Sequence, residues 1–214
     1  ALDKLNRKTE AITAYDKAVE INPKLNQAWV NKGRLLYELN RNEEALSALN
    51  RVLETDDKNL EAWQQKGSIL MRLEDFDEAF EVYDKILKID NNNLSAWQHR
   101  AKILDKMERY DEALKSYDKV LELNPNVAET WYSKSMVLSK LGKDKERLEA
   151  LNKTLKLKPD LLDAWFAKGD LLTKIGTPEE AISAYEKALA LDDKNASAWS
   201  NRGIALFKRH AYGL

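Results

Sequence analysis

Residues 29–63 read WVNKGRLLYELNRNEEALSALNRVLETDDKNLEAW, and this stretch decides the fold. It begins and ends on a tryptophan, and the same interval of 34 residues separates each tryptophan of the chain from the next. The six tryptophans are Trp29, Trp63, Trp97, Trp131, Trp165 and Trp199. An interval kept along the whole chain without insertion or deletion indicates an internal repeat, which has to be recognised before any other pattern is interpreted.

Other positions recur in the same register. The residue four after each tryptophan is small: Gly33, Gly67, Ala101, Ser135, Gly169 and Gly203. The residue seven after it is always leucine: Leu36, Leu70, Leu104, Leu138, Leu172 and Leu206. Sixteen after it, with Arg147 as the exception, stand Ala45, Ala79, Ala113 and Ala181. Twenty after it stand Leu49, Tyr83, Tyr117, Leu151 and Tyr185. These columns are predicted to hold the repeats together.

Each repeat is predicted to contain two helices. Trp29, Gly33 and Leu36 form an apolar stripe at helical spacing, and a second stripe runs through residues 45–53. A short polar segment separates the two stripes. The small residue of the first helix lets the second helix come close, with Gly33 facing Ala45. One such pair cannot bury its apolar side alone, so neighbouring repeats must stack.

The pattern Trp-x-x-Lys-Gly-x-x-Leu, followed by Ala-x-x-x-Tyr and then Pro, resembles the tetratricopeptide repeat. The resemblance covers a partial repeat 1–25, full repeats 26–59, 60–93, 94–127, 128–161 and 162–195, and a partial repeat 196–214. It implies an all-α fold, a right-handed α-solenoid of antiparallel helix pairs. One departure is a basic residue three after each tryptophan, where the family more often has an apolar one. We expect its stem to pack and its charge to reach acids such as Asp84 and Asp118.

The resemblance also implies where partners bind. In this family the first helices line a concave groove that takes an extended peptide or a partner helix. The groove columns then lie one, five and eight residues after each tryptophan, and these columns vary where the packing columns do not. The predicted partner-binding residues are Val30, Arg34, Tyr37, Gln64, Gln98, Lys102, Tyr132, Met136 and Phe166.

Two kinds of groove surface are predicted. Tyr132, Met136 and Phe166 form an apolar patch that Ile204 extends, and exposed aromatics beside a thioether are typical anchors for a partner. The alternative is that neighbouring repeats half cover these side chains. The region of Gln64, Gln98 and Lys102 is polar and suits backbone and carboxylate groups.

A column of bases lies nine residues after each tryptophan except the first, where Glu38 stands. Its members are Arg72, Lys106, Lys140, Lys174 and Lys208. They could form a strip for an acidic ligand, but bases at helix ends are also what the helix dipole favours, and we prefer that second interpretation. The subgroup that clamps chaperone carboxyl termini is not expected, because only Asn31 and Asn201 match its signature.

Repeat 128–161 is irregular. Arg147 replaces the small alanine, and Asp144 stands where Phe76 and Tyr110 stand in other repeats. A guanidinium cannot occupy a slot made for a methyl group unless the helix pair opens or the side chain turns outward. Our hypothesis is that this repeat is the least stable repeat of the array, with the weakest protection of its backbone amides from hydrogen exchange.

Composition and motifs argue against catalysis. With 35 basic and 36 acidic residues, the net charge of −1 gives no reason to expect nucleic acid as a partner. The chain has no cysteine, and its two histidines, His99 and His210, have no ligand-like neighbours. We therefore expect no enzymatic activity, no cofactor or metal, and no membrane insertion. Absence of cysteine and of a signal sequence favours a cytoplasmic location.

The sequence favours a non-enzymatic adaptor that holds a peptide or helix of a partner protein. Two alternatives remain: a docking or regulatory arm of a larger enzyme, and a scaffold that self-associates through the open ends of the array. We interpret the chain as a piece of something longer, since residue 1 falls within a first helix of the register. The tail at residues 208–214 leaves the register where a second helix should begin.

A helix start is predicted at Thr177, with Thr177 as the N-cap, Pro178 in the first turn and Glu180 able to complete a capping box.

Overall fold

The computed structural model describes the backbone of residues 2–211 and the side chains of residues 7–209. Over that range the chain forms twelve α-helices and no strand, which confirms the all-α prediction. The helices are α1 Leu2–Ile21, α2 Asn26–Glu38, α3 Asn42–Thr55, α4 Leu60–Arg72, α5 Phe76–Ile89, α6 Leu94–Lys106, α7 Tyr110–Leu123, α8 Ala128–Lys140, α9 Asp144–Leu157, α10 Leu162–Ile175, α11 Pro178–Leu191 and α12 Ala196–Ala211. The even-numbered helices carry the tryptophans and are called first helices below; the odd-numbered ones are second helices.

The chain divides into two compact units, residues 1–108 and residues 109–214, called the N-terminal and C-terminal units. In the N-terminal unit each helix from α1 to α6 packs against the next, and α2 also packs against α4. In the C-terminal unit each helix from α7 to α12 does the same, and α10 also packs against α12. Contacts limited to near neighbours in the sequence are typical of stacked repeats.

The helix pairs close over the small residue of the first helix. A Cβ added to Gly67 would lie 2.8 Å from Cζ of Tyr83, and one added to Gly169 would lie 2.6 Å from Cε1 of Tyr185. At Gly33 the nearest atom is Cγ of Leu49 at 3.0 Å, and the carbonyl oxygen of Ala45 is farther away. The predicted close approach is therefore present, but the residue twenty after the tryptophan fills the space more closely than the alanine sixteen after it.

Every tryptophan makes the same hydrogen bond. Its indole N–H donates to the carbonyl oxygen of the residue six positions earlier, in the loop before the first helix. The acceptors, at distances of 2.8–3.0 Å, are Pro23, Asp57, Asn91, Pro125, Pro159 and Asp193. This bond fixes each loop to the helix that follows it.

The basic residue three after the tryptophan lies against the indole ring and reaches the preceding second helix. The charged group sits 5.0–5.8 Å from the ring centroid at all six tryptophans. Arg100 pairs with Asp84 at 2.7 Å, and Lys134 pairs with Asp118 at 2.5 Å, as predicted. A packed stem with a paired charge explains why a base is accepted at a position that is usually apolar.

The turn between the two helices of a pair places one residue in the left-handed backbone region. That residue stands eleven after the tryptophan and has φ between 58° and 85° at Asn40, Glu74, Glu108, Gly142 and Gly176. Only two of the five are glycine, so the other three accept a conformation that side chains disfavour. Thr177 is the N-cap residue of α11 and Pro178 begins the helix, as predicted, but the capping hydrogen bond is absent: the Thr177 hydroxyl donates to the carbonyl oxygen of Leu172 at 3.2 Å.

Repeat 128–161 keeps a closed helix pair. Leu138, Leu151 and Ser135 are buried in it as their counterparts are elsewhere. Arg147 is half-buried, with its Nε buried and without a hydrogen-bonding partner among the described residues. The guanidinium is thus accommodated without opening the pair. The lower stability of this repeat relative to the others remains a prediction.

The terminal helices run past the register of the other repeats. Helix α1 runs without a break through residues 5–7, where the repeat register predicts a turn between a first and a second helix. Residues 2–21 therefore form one long helix in place of the predicted end of a first helix, a turn and a second helix. Helix α12 continues to Ala211. The rest of the predicted tail, residues 212–214, and the side chain of His210 lie outside the described residues. No helix in the described range is both long enough and apolar enough to cross a bilayer.

The close approach at the small residue gives a matched pair of substitutions. We expect Gly169→Ala to lower the free energy of unfolding by about 1–3 kcal/mol, because the new methyl group overlaps the ring of Tyr185. Gly203→Ala should leave it unchanged or raise it by up to about 1 kcal/mol, because no atom lies within 4 Å of the new Cβ and alanine favours helix. Urea unfolding followed by circular dichroism measures both, and equal effects would contradict this packing.

Candidate partner-binding face

The groove face comprises the residues one, five and eight positions after each tryptophan on the first helices. Their spacing places them on one side of a helix. In the column five after the tryptophan, Ser68 and Asp170 are half-buried, while the others are exposed: Arg34, Lys102, Met136 and Ile204. The column therefore leaves side chains exposed in each of the two units.

The N-terminal unit presents a polar groove face. Arg34, Gln64 and Lys102 are exposed, as a partner-binding role requires, and Gln98 is half-buried. Tyr37 is also half-buried, because the guanidinium of Arg72 lies 4.0 Å from its ring centroid.

Val30 does not belong to this face. It is 1% exposed and lies in a cluster with Ile12 of α1 and Leu49 of α3. The prediction for Val30 is wrong because a short apolar side chain at this position gains more from burial among its neighbouring helices than from contact with water. Gln64, one repeat later, occupies the same column and stays outside.

In the C-terminal unit the two predicted aromatic anchors serve the packing of the repeats. Tyr132 packs against a cluster that includes Leu151 and Ala167, and burial raises its pKa. Phe166 makes an edge contact with Tyr185, with ring centroids 6.0 Å apart. Both are half-buried, whereas Met136 is 40% exposed and Ile204 is 48% exposed. The exposed apolar surface is therefore smaller than predicted, and its two exposed members, Met136 on α8 and Ile204 on α12, stand two repeats apart.

A carboxylate network joins three helices of the C-terminal unit, and the sequence did not reveal it. Oδ1 of Asp170 on α10 accepts a hydrogen bond from the hydroxyl of Tyr185 on α11 at 2.7 Å. The same oxygen accepts another from Nδ2 of Asn201 on α12 at 2.8 Å. Burial and the hydrogen bond to the Asp170 carboxylate both raise the pKa of Tyr185, so its hydroxyl remains a donor. Asp170 is thereby held in place at the groove face.

The corresponding tyrosine of the N-terminal unit has no such acceptor. The hydroxyl of Tyr83 is buried and makes no well-aligned hydrogen bond in the described part of the chain. Burial raises its pKa to about 12, against an opposing effect of the nearby Ser68 hydroxyl. The ring of His99 stacks on that of Tyr83 with centroids 4.8 Å apart. His99 is therefore half-buried and packed, which corrects the expectation that it is a plain exposed helix residue.

A cavity of about 400 Å³ opens beside the Asp170 network. Lys208 donates to the carbonyl oxygen of Thr173 at its wall, and Ile204 adds an apolar edge. The lining is completed by Asp170, Lys174, Tyr185 and Asn201. A carboxylate, an amide and ammonium groups around one apolar side chain suit the mixed polar and apolar groups of a polypeptide.

The column of bases makes contacts between repeats. Three of these bases reach the residue thirteen after the preceding tryptophan, at the start of a second helix, whereas Lys208 reaches the carbonyl oxygen of Thr173. Arg72 donates to Asn42 at 2.6 Å, and Lys174 pairs with Asp144 at 2.7 Å. At the first such contact the charges are reversed, since Glu38 pairs with Lys8 at 2.6 Å. These contacts favour a structural role for the column over a strip for an acidic ligand. Lys174 gives Asp144 an ionic partner, whereas Lys140 at the equivalent position lies over the ring of Tyr110, 5.0 Å from its centroid.

No group of three or more histidine, aspartate or glutamate side chains is placed to hold a metal ion within the described residues.

Tetratricopeptide-repeat family profiles match most of the chain. The matched residues are 1–25, 30–93, 95–127, 128–161 and 169–209. A search of curated proteins found no significant match.

Several solved structures share the fold. YrrB, described as a TPR protein with an unusual peptide-binding site, is 25% identical, with a TM-score of 0.76 over 89% of this chain and 98% of its own. MamA is 22% identical, with a TM-score of 0.75 over 80% of this chain and 93% of its own. MamA from Desulfovibrio magneticus RS-1 is also 22% identical, with a TM-score of 0.73 over 80% of this chain and 97% of its own. At 22% identity, the similarity to the MamA structures establishes a shared fold only.

The two buried tyrosines provide a second matched pair. We expect Tyr185→Phe to lower the free energy of unfolding at neutral pH by about 1–3 kcal/mol, since it removes a hydrogen bond to a carboxylate. Tyr83→Phe should change it by less than about 1 kcal/mol, because the lost hydroxyl has no partner to leave behind. Urea titrations of both variants measure the difference, and a larger cost at Tyr83 would contradict the network.

Proposed function

Because this chain belongs to the tetratricopeptide-repeat family, we propose that it is a non-enzymatic scaffold that binds a peptide or helix of a partner protein on its groove face. Residues 1–214 then act as one array of repeats. YrrB, which shares the fold, is described as having a peptide-binding site. That likeness supports a polypeptide as the class of ligand.

The observation that carries the proposal is the contrast between two columns of the same helices. The residue seven after each tryptophan is always leucine, and it is buried at Leu36, Leu70, Leu104, Leu138 and Leu172. The residue five after is a different amino acid in every repeat and is mostly exposed. Packing accounts for the first column and does not constrain the second, so the second is free to recognise a partner.

The side chains indicate what each unit would bind. In the N-terminal unit, Arg34, Gln64 and Lys102 offer donors to backbone carbonyl and carboxylate groups. In the C-terminal unit, Ile204 offers apolar contact beside the polar lining of the cavity at Asp170, and Met136 offers it on α8. Met136 is flexible and adapts to the shape of an apolar side chain.

A peptide selected on the intact chain tests the proposal. A library of random linear peptides displayed on phage is panned against the immobilised chain, and an enriched peptide is synthesised for calorimetric titration. Met136→Ser and Lys102→Ser, on the groove face of the two units, serve as test variants. We expect at least one of them to weaken binding tenfold or more, which corresponds to about 1.4 kcal/mol.

Matched controls are exposed residues of second helices, Lys153→Ser and Glu54→Ser. They should leave the affinity unchanged. Failure to enrich any peptide, or an equal loss of affinity in the control variants, would overturn the assignment of this face. Both test positions are exposed, so the variants are expected to fold, and circular dichroism checks this.

A further inference from the structure

Asp170 differs from the rest of its column on the groove face. It is the one acidic residue there, since the other members are Arg34, Ser68, Lys102, Met136 and Ile204. Its carboxylate is half-buried and is held by Tyr185 of α11 and Asn201 of α12. Partial withdrawal of a charged carboxylate from water costs free energy, and an opposite charge close to it offsets that cost. A fixed carboxylate in the wall of a cavity is therefore suited to a cationic group.

The two oxygens of the Asp170 carboxylate have different surroundings. Oδ1 accepts from the hydroxyl of Tyr185 at 2.7 Å and from Nδ2 of Asn201 at 2.8 Å. No residue among those described donates a hydrogen bond to Oδ2. A carboxylate offers about four acceptor sites, and those of Oδ2 are all open. Oδ2 is therefore the oxygen left for an incoming donor.

The side chains that hold Asp170 add further acceptors to the cavity wall. The Tyr185 hydroxyl uses its proton on Asp170, so its oxygen is left as an acceptor. Asn201 donates with its amide nitrogen, because a carboxylate only accepts, and its amide oxygen is also left as an acceptor. An occupant beside Asp170 therefore has to bring a positive charge and several donors.

The two lysines of the cavity wall do not neutralise Asp170. Nζ of Lys174 lies 2.7 Å and 2.9 Å from the two carboxylate oxygens of Asp144. Nζ of Lys208 donates to the carbonyl oxygen of Thr173 at 3.3 Å. Neither ammonium group forms an ion pair with Asp170. Lys208 has further N–H groups, which suit a backbone carbonyl oxygen of the same occupant.

We propose that Asp170 binds an arginine side chain of the partner peptide through Oδ2 and so determines the specificity of the C-terminal unit. A guanidinium fits this wall better than an ammonium, because its planar set of five N–H groups reaches several acceptors at once. The cavity of about 400 Å³ lies within the range of about 300–1,000 Å³ that ligand sites span. This inference rests on the proposed scaffold function and adds the chemical class of the peptide, a segment that contains arginine.

The N-terminal unit has no counterpart of this site. Ser68 stands in the column of Asp170, and Tyr83 stands in the column of Tyr185. The ring of His99 stacks on that of Tyr83, and no carboxylate occupies the column in that unit. The preference for arginine is therefore confined to the C-terminal unit.

Capped tripeptides measure the preference directly on the intact chain. The test peptide is acetyl-Ala-Arg-Ala-amide, and its control carries citrulline, which replaces the guanidinium by a neutral urea group of similar shape. Binding is followed in a ¹⁵N-labelled chain through the side-chain amide signal of Asn201, assigned from its loss in Asn201→Ser. We expect the arginine peptide to bind about tenfold or more tightly than the citrulline peptide, because it forms a charge-assisted hydrogen bond to a carboxylate. Equal affinities would overturn the proposal, and this comparison needs no variant of the site.

Asp170→Asn assigns the preference to one residue. The asparagine keeps an oxygen that can accept from Tyr185 and Asn201, but it places a donor where Oδ2 stood. We expect the arginine and citrulline peptides to bind this variant equally. Glu149→Gln, at an exposed position of α9, removes the same charge elsewhere and should retain the full preference. A preference retained in Asp170→Asn would overturn the proposal, and circular dichroism checks that both variants are folded.

Peptides enriched by panning on the intact chain separate this inference from the scaffold function. We expect enriched peptides that bind Asp170→Asn about tenfold more weakly to carry an arginine, and its replacement by citrulline to cause a similar loss. Enriched peptides that bind on the groove face with no dependence on Asp170 would overturn this inference and leave the scaffold function standing. Failure to enrich any peptide, with the arginine tripeptide still bound at Asp170, would overturn the scaffold function alone.

Discussion

The hydrogen bond from each indole N–H to the carbonyl six residues earlier is the contact on which the rest of the structure depends. It ties the loop between repeats to the first helix, and so fixes where that helix begins relative to the second helix before it. The base three residues later then lies over the indole ring and can reach an acid of that second helix. One side chain therefore sets the register for several contacts.

These polar contacts determine alignment more than they determine stability. A hydrogen bond of this kind contributes about 1 kcal/mol net, and an exposed ion pair contributes less than about 1 kcal/mol. Burial of the aromatic and leucine columns supplies the larger share, since a fully buried leucine side chain alone contributes about 1.5–3 kcal/mol. The small residue four after the tryptophan makes that burial possible because it lets Tyr83 and Tyr185 enter between the helices.

Helix pairing and the packing columns could be predicted from the sequence because they follow from a strict period. The side of a helix is fixed by spacing, but the depth of a single side chain depends on its size and polarity. Val30 and Gln64 occupy the same column, yet one is buried and the other is exposed. The left-handed backbone conformation of the turn residue could not be predicted from the sequence either. Asn40 and Glu74 stand at that position, where a glycine would have indicated a positive φ.

Contacts between positions in different repeats were the hardest to predict. The pairs Lys8–Glu38 and Asp144–Lys174 use the same two positions with opposite charges, and each residue looks irregular until its partner is known. The Asp170 network is similar, since its three members come from three helices. The exposure of Arg34 and Met136 could be predicted from the sequence, because exposure at their column requires only that packing leave them free.

The six indole N–H groups offer the most direct test of this account. Their hydrogen exchange can be followed one by one in a ¹⁵N-labelled chain by nuclear magnetic resonance, with assignments from single Trp→Phe variants. The account predicts that the indole protons of Trp29, Trp63, Trp97, Trp131 and Trp165 all exchange at least tenfold more slowly than in the urea-unfolded chain. Exchange at the unfolded rate for most of them would contradict it.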